Sequence, residues 1–419
     1  MGIAETNWAG NLTYSATRLL RPRSLEELQE GVRRSSKLKV LGSRHSFNSI
    51  ADTSGELLSL EAMPPEVSIN PQERTVTVNA WMRYGELALP LEAAGYALFN
   101  LASLPHISLI GACATATHGS GDTNPSLASA VRALEMVLAD GSVVWLRRGQ
   151  DWAFEGAVVG LGALGVVTRL TLDLVPSFAL RQRVYLDLPF SQLEQHFEAI
   201  TSSAYSLSLF TDWRGRRFAQ VWRKSLADSA PAEPIWFGAK AATEPLHMLP
   251  GCPPQNTTPQ LDVPGPWLER LPHFRLGHTP SNGEELQSEY LVPRQHALEA
   301  MGALFELGDQ IAPVLQTSEV RTIAADHLWM SPYYQQPCVG LHFTWVKDWP
   351  AVREVLPRIE AQLRPFSPRP HWGKLFTLPP EALGPLYPRL PEFQRLMKTY
   401  DPEGKFQNAF LEQTLRGMH

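Results

Sequence analysis

The hydrophobic pattern changes its period partway along the chain. Up to about residue 175, short alternating runs trade places with helical stripes. Ser24-Leu25-Glu26-Glu27 reads as a capping box, in which the Ser24 hydroxyl accepts from the backbone of Glu27 and the Glu27 carboxylate reaches back. Leu25, Leu28 and Val32 then give the apolar stripe of a helix. A β-rich Lys39-Val40-Leu41 leads into the turn Gly42-Ser43-Arg44-His45-Ser46. Residues 74 to 79 alternate as a strand, and Tyr84 to Ala94 predicts a helix closed by Gly95. The runs 132 to 138 and 142 to 146 predict a hairpin, with Asp140-Gly141 supplying the positive φ angles of a type I′ turn.

Beyond Pro176 the alternating runs lengthen, at 181 to 188, 206 to 211 and 218 to 223, with a second capping box expected at Ser191 and Glu194. Residues 229 to 282 are rich in proline and glycine and predict an irregular excursion over the surface. Strands resume at 286 to 292, 317 to 323 and 340 to 345, and Asp401 to Asn408 predicts a turn-rich tail. No internal repeat is visible. A single core stops growing at roughly 250 to 300 residues, so 419 residues predict two domains. The pattern supports a nucleotide-type domain followed by a largely antiparallel α+β domain, joined near 176.

Composition narrows the function classes. Hydrophobic residues make up 44% and charged residues 19%, enough apolar surface for sizeable cores. Net charge is −5 and no Lys/Arg cluster has the size of a nucleic-acid footprint, so no nucleic-acid partner is expected. Cys113, Cys252 and Cys338 lie far apart without a CxxC, which suits a reducing compartment and argues against disulfides or a metal site. The N-terminal MGIAETNWAGNLTY lacks the basic and apolar regions of a leader, and no run of 18 apolar residues occurs. Met1-Gly2 with Thr6 fits the loose myristoylation pattern, but one acyl chain without a polybasic companion anchors poorly. A cytoplasmic monomer without membrane partners is expected.

Two glycine-rich segments compete as nucleotide sites. Gly160-Leu-Gly162-Ala-Leu-Gly165 has Rossmann spacing, which requires a helix to open after it. The next segment, Val166 to Leu174, instead alternates like a strand, and no acidic residue stands about 20 positions on, so a nicotinamide-dinucleotide site is rejected. Its glycines are left to form a tight turn. Ser103-Leu-Pro-His106-Ile-Ser108, running on to Thr117-His118-Gly119-Ser120-Gly121, is small and hydroxyl-rich. Its backbone N–H groups in a loop would hold a pyrophosphate. Alternatively it is a packed glycine-rich loop, with His106 and His118 hydrogen-bonded to backbone.

The combination of Gly42-Ser43-Arg44-His45-Ser46-Phe47, Ser103-Leu-Pro-His106 and Thr117 to Gly121 resembles the vanillyl-alcohol-oxidase flavoproteins. Within them, Asn7-Trp-Ala-Gly-Asn11 and His371-Trp-Gly-Lys374 resemble the alditol (xylitol) oxidases, and the likeness spans nearly the whole chain. The resemblance implies a two-domain FAD-binding fold of the vanillyl-alcohol-oxidase/PCMH type, in the α+β class. The FAD domain would cover 1–176, the substrate domain 177–375, and 376–419 would return to the first. It implies FAD held covalently by His45, a reasonable nucleophile toward the flavin 8α carbon. Gly42, Ser43, Arg44, Ser46, Ser103, His106, Ser108, Gly111, Thr117, His118, Gly119, Gly121, Gly165 and Val166 would surround the cofactor. Arg44 departs from the glycine usual before that histidine, where glycine can take positive φ or let the backbone approach the cofactor; an arginine can place a cation there. Cys113 reads as a small buried hydrophobe.

In the second half, strand parity groups the polar residues. Glu319 and Arg321 are two apart on one predicted strand, hence on one face; His342 and Thr344 share a face on another, and Gln287 lies on a third. That pattern suits a polyol, with Glu319 accepting hydroxyls while Arg321 donates, and it equally suits a solvated face with an incidental ion pair. The alditol-oxidase resemblance selects the first reading. It also places Lys374 as the cation that stabilises charge arriving on the flavin, and makes His342 the base, its pKa lowered by Lys374. The expected reaction is oxidation of a terminal primary alcohol of an alditol, with O2 reduced to hydrogen peroxide. Ala102, beside Ser103, is small and compatible with oxygen entry. Rivals are an aldonolactone oxidase, a polyol dehydrogenase using another acceptor, and a non-catalytic flavin- or sugar-binding protein.

Overall fold

The computed structural model describes residues 5–277 and 283–415. Met1 and Gly2 of the acylation pattern, and the end of the irregular 229 to 282 stretch, lie outside them. The N-terminal part holds a three-stranded parallel sheet (Arg18–Leu20, Leu38–Val40, Glu56–Leu58) and a five-stranded antiparallel sheet. The larger of these runs in the order Val67–Asn70, Thr75–Asn79, Val166–Asp173, Val131–Val137, Val143–Arg147. A ten-stranded antiparallel sheet comes next, with Leu315–Ile323, Cys338–Trp345 and Leu286–Pro293 adjacent toward one edge. The fold is α+β. Among the described residues no helix is long and apolar enough to cross a membrane, and no His/Cys/Asp/Glu group is arranged to hold a metal.

Local signals explain most elements. Helix Leu25–Arg34 is capped as expected, Ser24 Oγ accepting from Glu27 N at 3.2 Å, although the Glu27 carboxylate returns to Arg23 N. Leu28 and Val32 bury its stripe. The helix Tyr84–Ala93 ends before Gly95 at φ 79°.

Three expectations are corrected. The hairpin turn is not type I′, for Gly141 (φ 82°) has positive φ and Asp140 does not. Three residues rather than two separate the closing pair Leu138 and Ser142, so a type I turn with one left-handed glycine suffices. Helix Phe190–Thr201 starts before Ser191, with Pro189 at its cap and no side-chain cap bond. Burial of Phe190 in a second apolar core, which packs on the ten-stranded sheet and includes Leu193, Phe218 and Phe305, fixes that start, and Glu194 pairs with Arg216. The loop from 103 to 121 contains a short helix, Leu109–Ala114, because Ala112 N closes on Ser108 O. The turn-rich segment expected at 401 to 408 is present, and it joins two helices, Leu390–Tyr400 and Ala409–Leu415, the first burying Leu390, Phe393, Leu396 and Met397.

Two joints bring distant segments together. Phe47 N bonds Gly373 O (2.8 Å), while the Asn48 amide donates to the carbonyls of Trp372 and Lys374 (2.8 and 2.7 Å). The Asn408 amide lies within bonding distance of the carbonyls of Ser49, Ile50 and Asp52. The His45 turn is thus braced by residues more than 300 positions later.

Candidate active site

The adjacent strands Leu315–Ile323, Cys338–Trp345 and Leu286–Pro293 of the large sheet build one wall of a cavity of about 420 Å³. Their alternate residues Val320, Leu341, Phe343, Trp345 and Tyr290 go into the second core, so the opposite parity faces the cavity. The register then forms rows across the sheet: Glu319, His342 and Glu289 in one, Thr317, Thr344 and Gln287 in the next. Arg321 is opposite Gly340, where a Cβ would stand 3.0 Å from Glu289 Oε1. Glycine there leaves room for Arg321 to reach diagonally to Glu289 at 3.0 Å. The parity expected for Glu319, Arg321, His342, Thr344 and Gln287 agrees with this geometry.

Glu289 was not anticipated, although it shares a strand face with Gln287. It is buried, and its carboxylate meets Lys374 Nζ (2.6 Å), Arg321 (3.0 Å) and His118 Nε2 (2.9 Å). Burial alone would raise its pKa, but Lys374, His118 and Arg321 together hold it well below the carboxylate range. Burial pulls Lys374 down, opposed by Glu289. Glu319 is likewise held low, by Arg321 and His273 against burial. Its contact with Arg321 is looser than expected, 3.6 Å at Nε, because the guanidinium is shared with Glu289 and reaches Ser103 Oγ at 3.5 Å.

His342 is pushed well below the ordinary imidazole range, first by burial and then by Lys374. Gln287 donates to Glu285, which orients its amide, so its oxygen accepts from His342 Nε2 at 3.1 Å. The unprotonated nitrogen is therefore Nδ1, which is buried and has no partner among the described residues. A neutral imidazole with an open lone pair in a cavity can take a proton.

On the opposite wall, Gly42, Ser43, Arg44, His45 and Ser46 lie beside Ser103, Ser108, Gly111 and Thr117. Ser43 and Ser108 clasp the two loops, Ser108 N donating to Ser43 Oγ at 3.0 Å. A Cβ on Gly42 or Gly111 would lie 2.5 or 2.7 Å from Ser108 Oγ, so both glycines are required by that close approach. His45 stacks on Trp8 (5.1 Å, 17°) and its Nδ1 is 2.8 Å from Ser43 O. Burial lowers its pKa to about 4, and its Nε2 is buried without a partner among the described residues. Arg44 does take the glycine-like conformation, at φ 63°. Its guanidinium pairs with Glu5, so the cation expected at the flavin or phosphate is already engaged. Cys113 is buried, its thiol pushed up to about 12 by burial.

Gly165 and His118 also line the cavity, whereas four expected cofactor contacts do not. His106 turns its Nε2 to Leu276 O at 2.6 Å. Gly119 is pressed against Asn100 and the Leu101 carbonyl, and Gly121 bonds Thr322 O. Val166 packs in a third apolar cluster with Val137, while its neighbours Gly165 and Val167 reach the cavity. Strand parity accounts for that last displacement.

Comparisons with known proteins agree with this architecture. The family model "FAD binding domain" matches residues 16–147, and the model "D-arabinono-1,4-lactone oxidase" matches 282–414. An alditol oxidase from a Streptomyces species is 52% identical over 100% of both chains. An L-gulono-1,4-lactone dehydrogenase from Mycobacterium tuberculosis is 24% identical over 98% of each. Among solved structures, a solvent-stable cholesterol oxidase shares the fold, with TM-score 0.78 at 15% identity, covering 97% of this chain and 96% of that one. Glycine-lined loops, a buried neutral histidine with an open nitrogen and a cavity lined from both the five-stranded and the ten-stranded sheet fit an FAD-binding protein. The chain belongs to the alditol oxidase family of FAD-dependent flavoproteins.

Proposed function

We propose that this protein oxidises the terminal primary alcohol of alditols such as xylitol and sorbitol to the aldose, with O2 reduced to hydrogen peroxide. The observation that carries the reading is the wall of Glu319, Arg321, His342, Thr344 and Gln287 opening onto the cavity that also holds His45. FAD, when bound, supplies the hydride acceptor and passes electrons on to oxygen. His45, Gly42, Ser43, Ser46, Ser108, Gly111, Thr117, His118 and Gly165 would hold it, with His45 as the covalent anchor. A neutral imidazole keeps the lone pair that such a bond needs.

The substrate hydroxyls bind Glu319 and Arg321, with Ser103, Thr344 and Gln287 completing the polar lining. His342 Nδ1 accepts the proton of the reacting hydroxyl, and Gln287 keeps the other nitrogen protonated. Lys374, tied to Glu289, keeps a cation beside the reacting centre. In this reading the chain divides into an FAD domain (1–176), a substrate domain (177–375) and a returning segment (376–419). The five-stranded and ten-stranded sheets support that division.

Aldonolactone oxidation is the second reading, favoured by the lactone-oxidase model over 282–414. The 52% full-length relative outweighs it. A peroxide assay with xylitol and with an aldonolactone separates them: turnover of the lactone alone would overturn the alditol reading. The tether is tested on a denaturing gel. A fluorescent parent band beside a dark His45→Ala band is expected, and a dark parent band means non-covalent FAD.

A further inference from the structure

The irregular stretch beyond residue 229, which no periodicity explains, brings several side chains to the cavity wall, His273 among them. His273 is fixed by its backbone, its N–H donating to Ser103 O (3.1 Å) and its carbonyl accepting from Thr258 N (2.9 Å). Trp222 and Phe210 flank the ring edge-on, with centroids 5.1 and 5.7 Å away. Behind it, on the strand Arg217–Leu226, lies Lys224, with no exposed surface. An apolar side chain would fill that space at less desolvation cost, so a buried ammonium there calls for a reason.

Its contacts supply one. Lys224 Nζ stands 2.5 Å from Leu271 O, 3.1 Å from Pro272 O and 3.1 Å from His273 Nδ1. An ammonium has three N–H groups and no lone pair, so these three acceptors use it fully and Nδ1 must accept. A neutral His273 then carries its proton on Nε2, which donates to Glu319 Oε1 at 2.7 Å. Burial pulls Lys224 down to about 7 and His273 to about 4. The three acceptors favour the charged lysine, since a neutral amine has only two N–H groups, and Lys224 in turn disfavours a charged His273. With Oε1 occupied, Glu319 Oε2 has no protein hydrogen bond among the described residues; Arg321 Nε is 3.6 Å away.

We infer that Lys224 and His273 are positioning residues for the substrate: Lys224 sets the His273 tautomer, His273 locks one oxygen of Glu319, and the other is thereby presented to a substrate hydroxyl. This rests on the alditol reading above and adds two residues, neither of which needs to touch the reacting carbon. The chain of bonds also ties Glu319 to Ser103, because the residue that orients the carboxylate is bonded through its backbone to Ser103.

The test uses flavin-loaded Lys224→Met, His273→Leu and His273→Gln, with xylitol as the probe. A glutamine amide can still accept from Lys224 and donate to Glu319, whereas leucine can do neither. His273→Leu and Lys224→Met are expected to raise KM for xylitol by about 10- to 100-fold, the loss of one hydrogen bond to a carboxylate, with a smaller change in kcat. His273→Gln should recover most of that loss. If leucine and glutamine weaken binding alike, or Lys224→Met lowers the melting temperature while KM stays put, the two residues merely hold the loop and the inference is lost. Should the leucine variant fail to load flavin, Lys224→Met against His273→Gln decides by the same criteria. Failure of xylitol to reduce the parent enzyme would overturn the alditol reading itself. That result is distinct from a reducible parent whose variants match it.

Discussion

Replacing Glu289 by glutamine tests how the cations of the site are held. The substitution keeps the shape and removes one charge from a carboxylate that meets Lys374 at 2.6 Å, His118 at 2.9 Å and Arg321 at 3.0 Å. At 2.6 Å, with an effective dielectric constant of about 20, the attraction to Lys374 alone is about 6 kcal/mol, much of it offset by desolvation of both groups. Breaking a buried pair from one side costs about 3–5 kcal/mol because the remaining charge is stranded. Burial already depresses Lys374, and Glu289 is what opposes it. Without that carboxylate nothing of comparable strength opposes burial, the Lys374 pKa falls further, and the site loses a cation. The rate of flavin reduction by xylitol, followed anaerobically by stopped flow, should fall by about 100-fold at neutral pH. It should partly recover toward acid pH, where Lys374 regains its proton. A variant with the parent's rate and pH profile would refute the claim that Glu289 keeps Lys374 charged.

Arg44→Gly should load flavin normally and keep or slightly raise the melting temperature, since it relieves a left-handed residue and loses only a partly exposed pair with Glu5. Arg44→Val should be less stable than the parent in a denaturant titration, because a β-branched residue tolerates positive φ worst. Loss of flavin in the glycine variant would instead make Arg44 a cofactor ligand. His118, His273, His342 and His371 all have folded pKa values below the unfolded imidazole value, burial being the leading cause. The unfolded chain therefore binds more protons as pH falls through about 6.5, so stability declines between there and the folded values. For His273, at about 4, this amounts to about 3 kcal/mol. A melting temperature that stays flat from neutral pH down to 5 would contradict the buried neutral histidines.

What could be read from the sequence came from local physics. Strand parity put Glu319 with Arg321 and His342 with Thr344, because alternation needs only the strand itself. The strand after Gly165 excluded a dinucleotide helix for the same reason. Glu289 was within reach of that logic, being two residues from Gln287, but its significance depends on Lys374 and His118 arriving from other segments. Lys224 also sits on an inward-facing position, two residues after the buried Trp222. His273 gave no signal, since an irregular segment has no period and its placement depends on bonds to Ser103 and Thr258. The fates of His106, Gly119 and Gly121 depended on tertiary partners too. Motif spacing brought them near the loop, and contacts with Leu276, Leu101 and Thr322 turned them elsewhere.

The most direct measurement is the oxidised-flavin absorbance of the purified protein, mixed anaerobically with xylitol and then exposed to air. Prompt bleaching is predicted, followed by return of the colour with hydrogen peroxide released. A flavin band that stays oxidised with xylitol, sorbitol and every other alditol would contradict alditol oxidation.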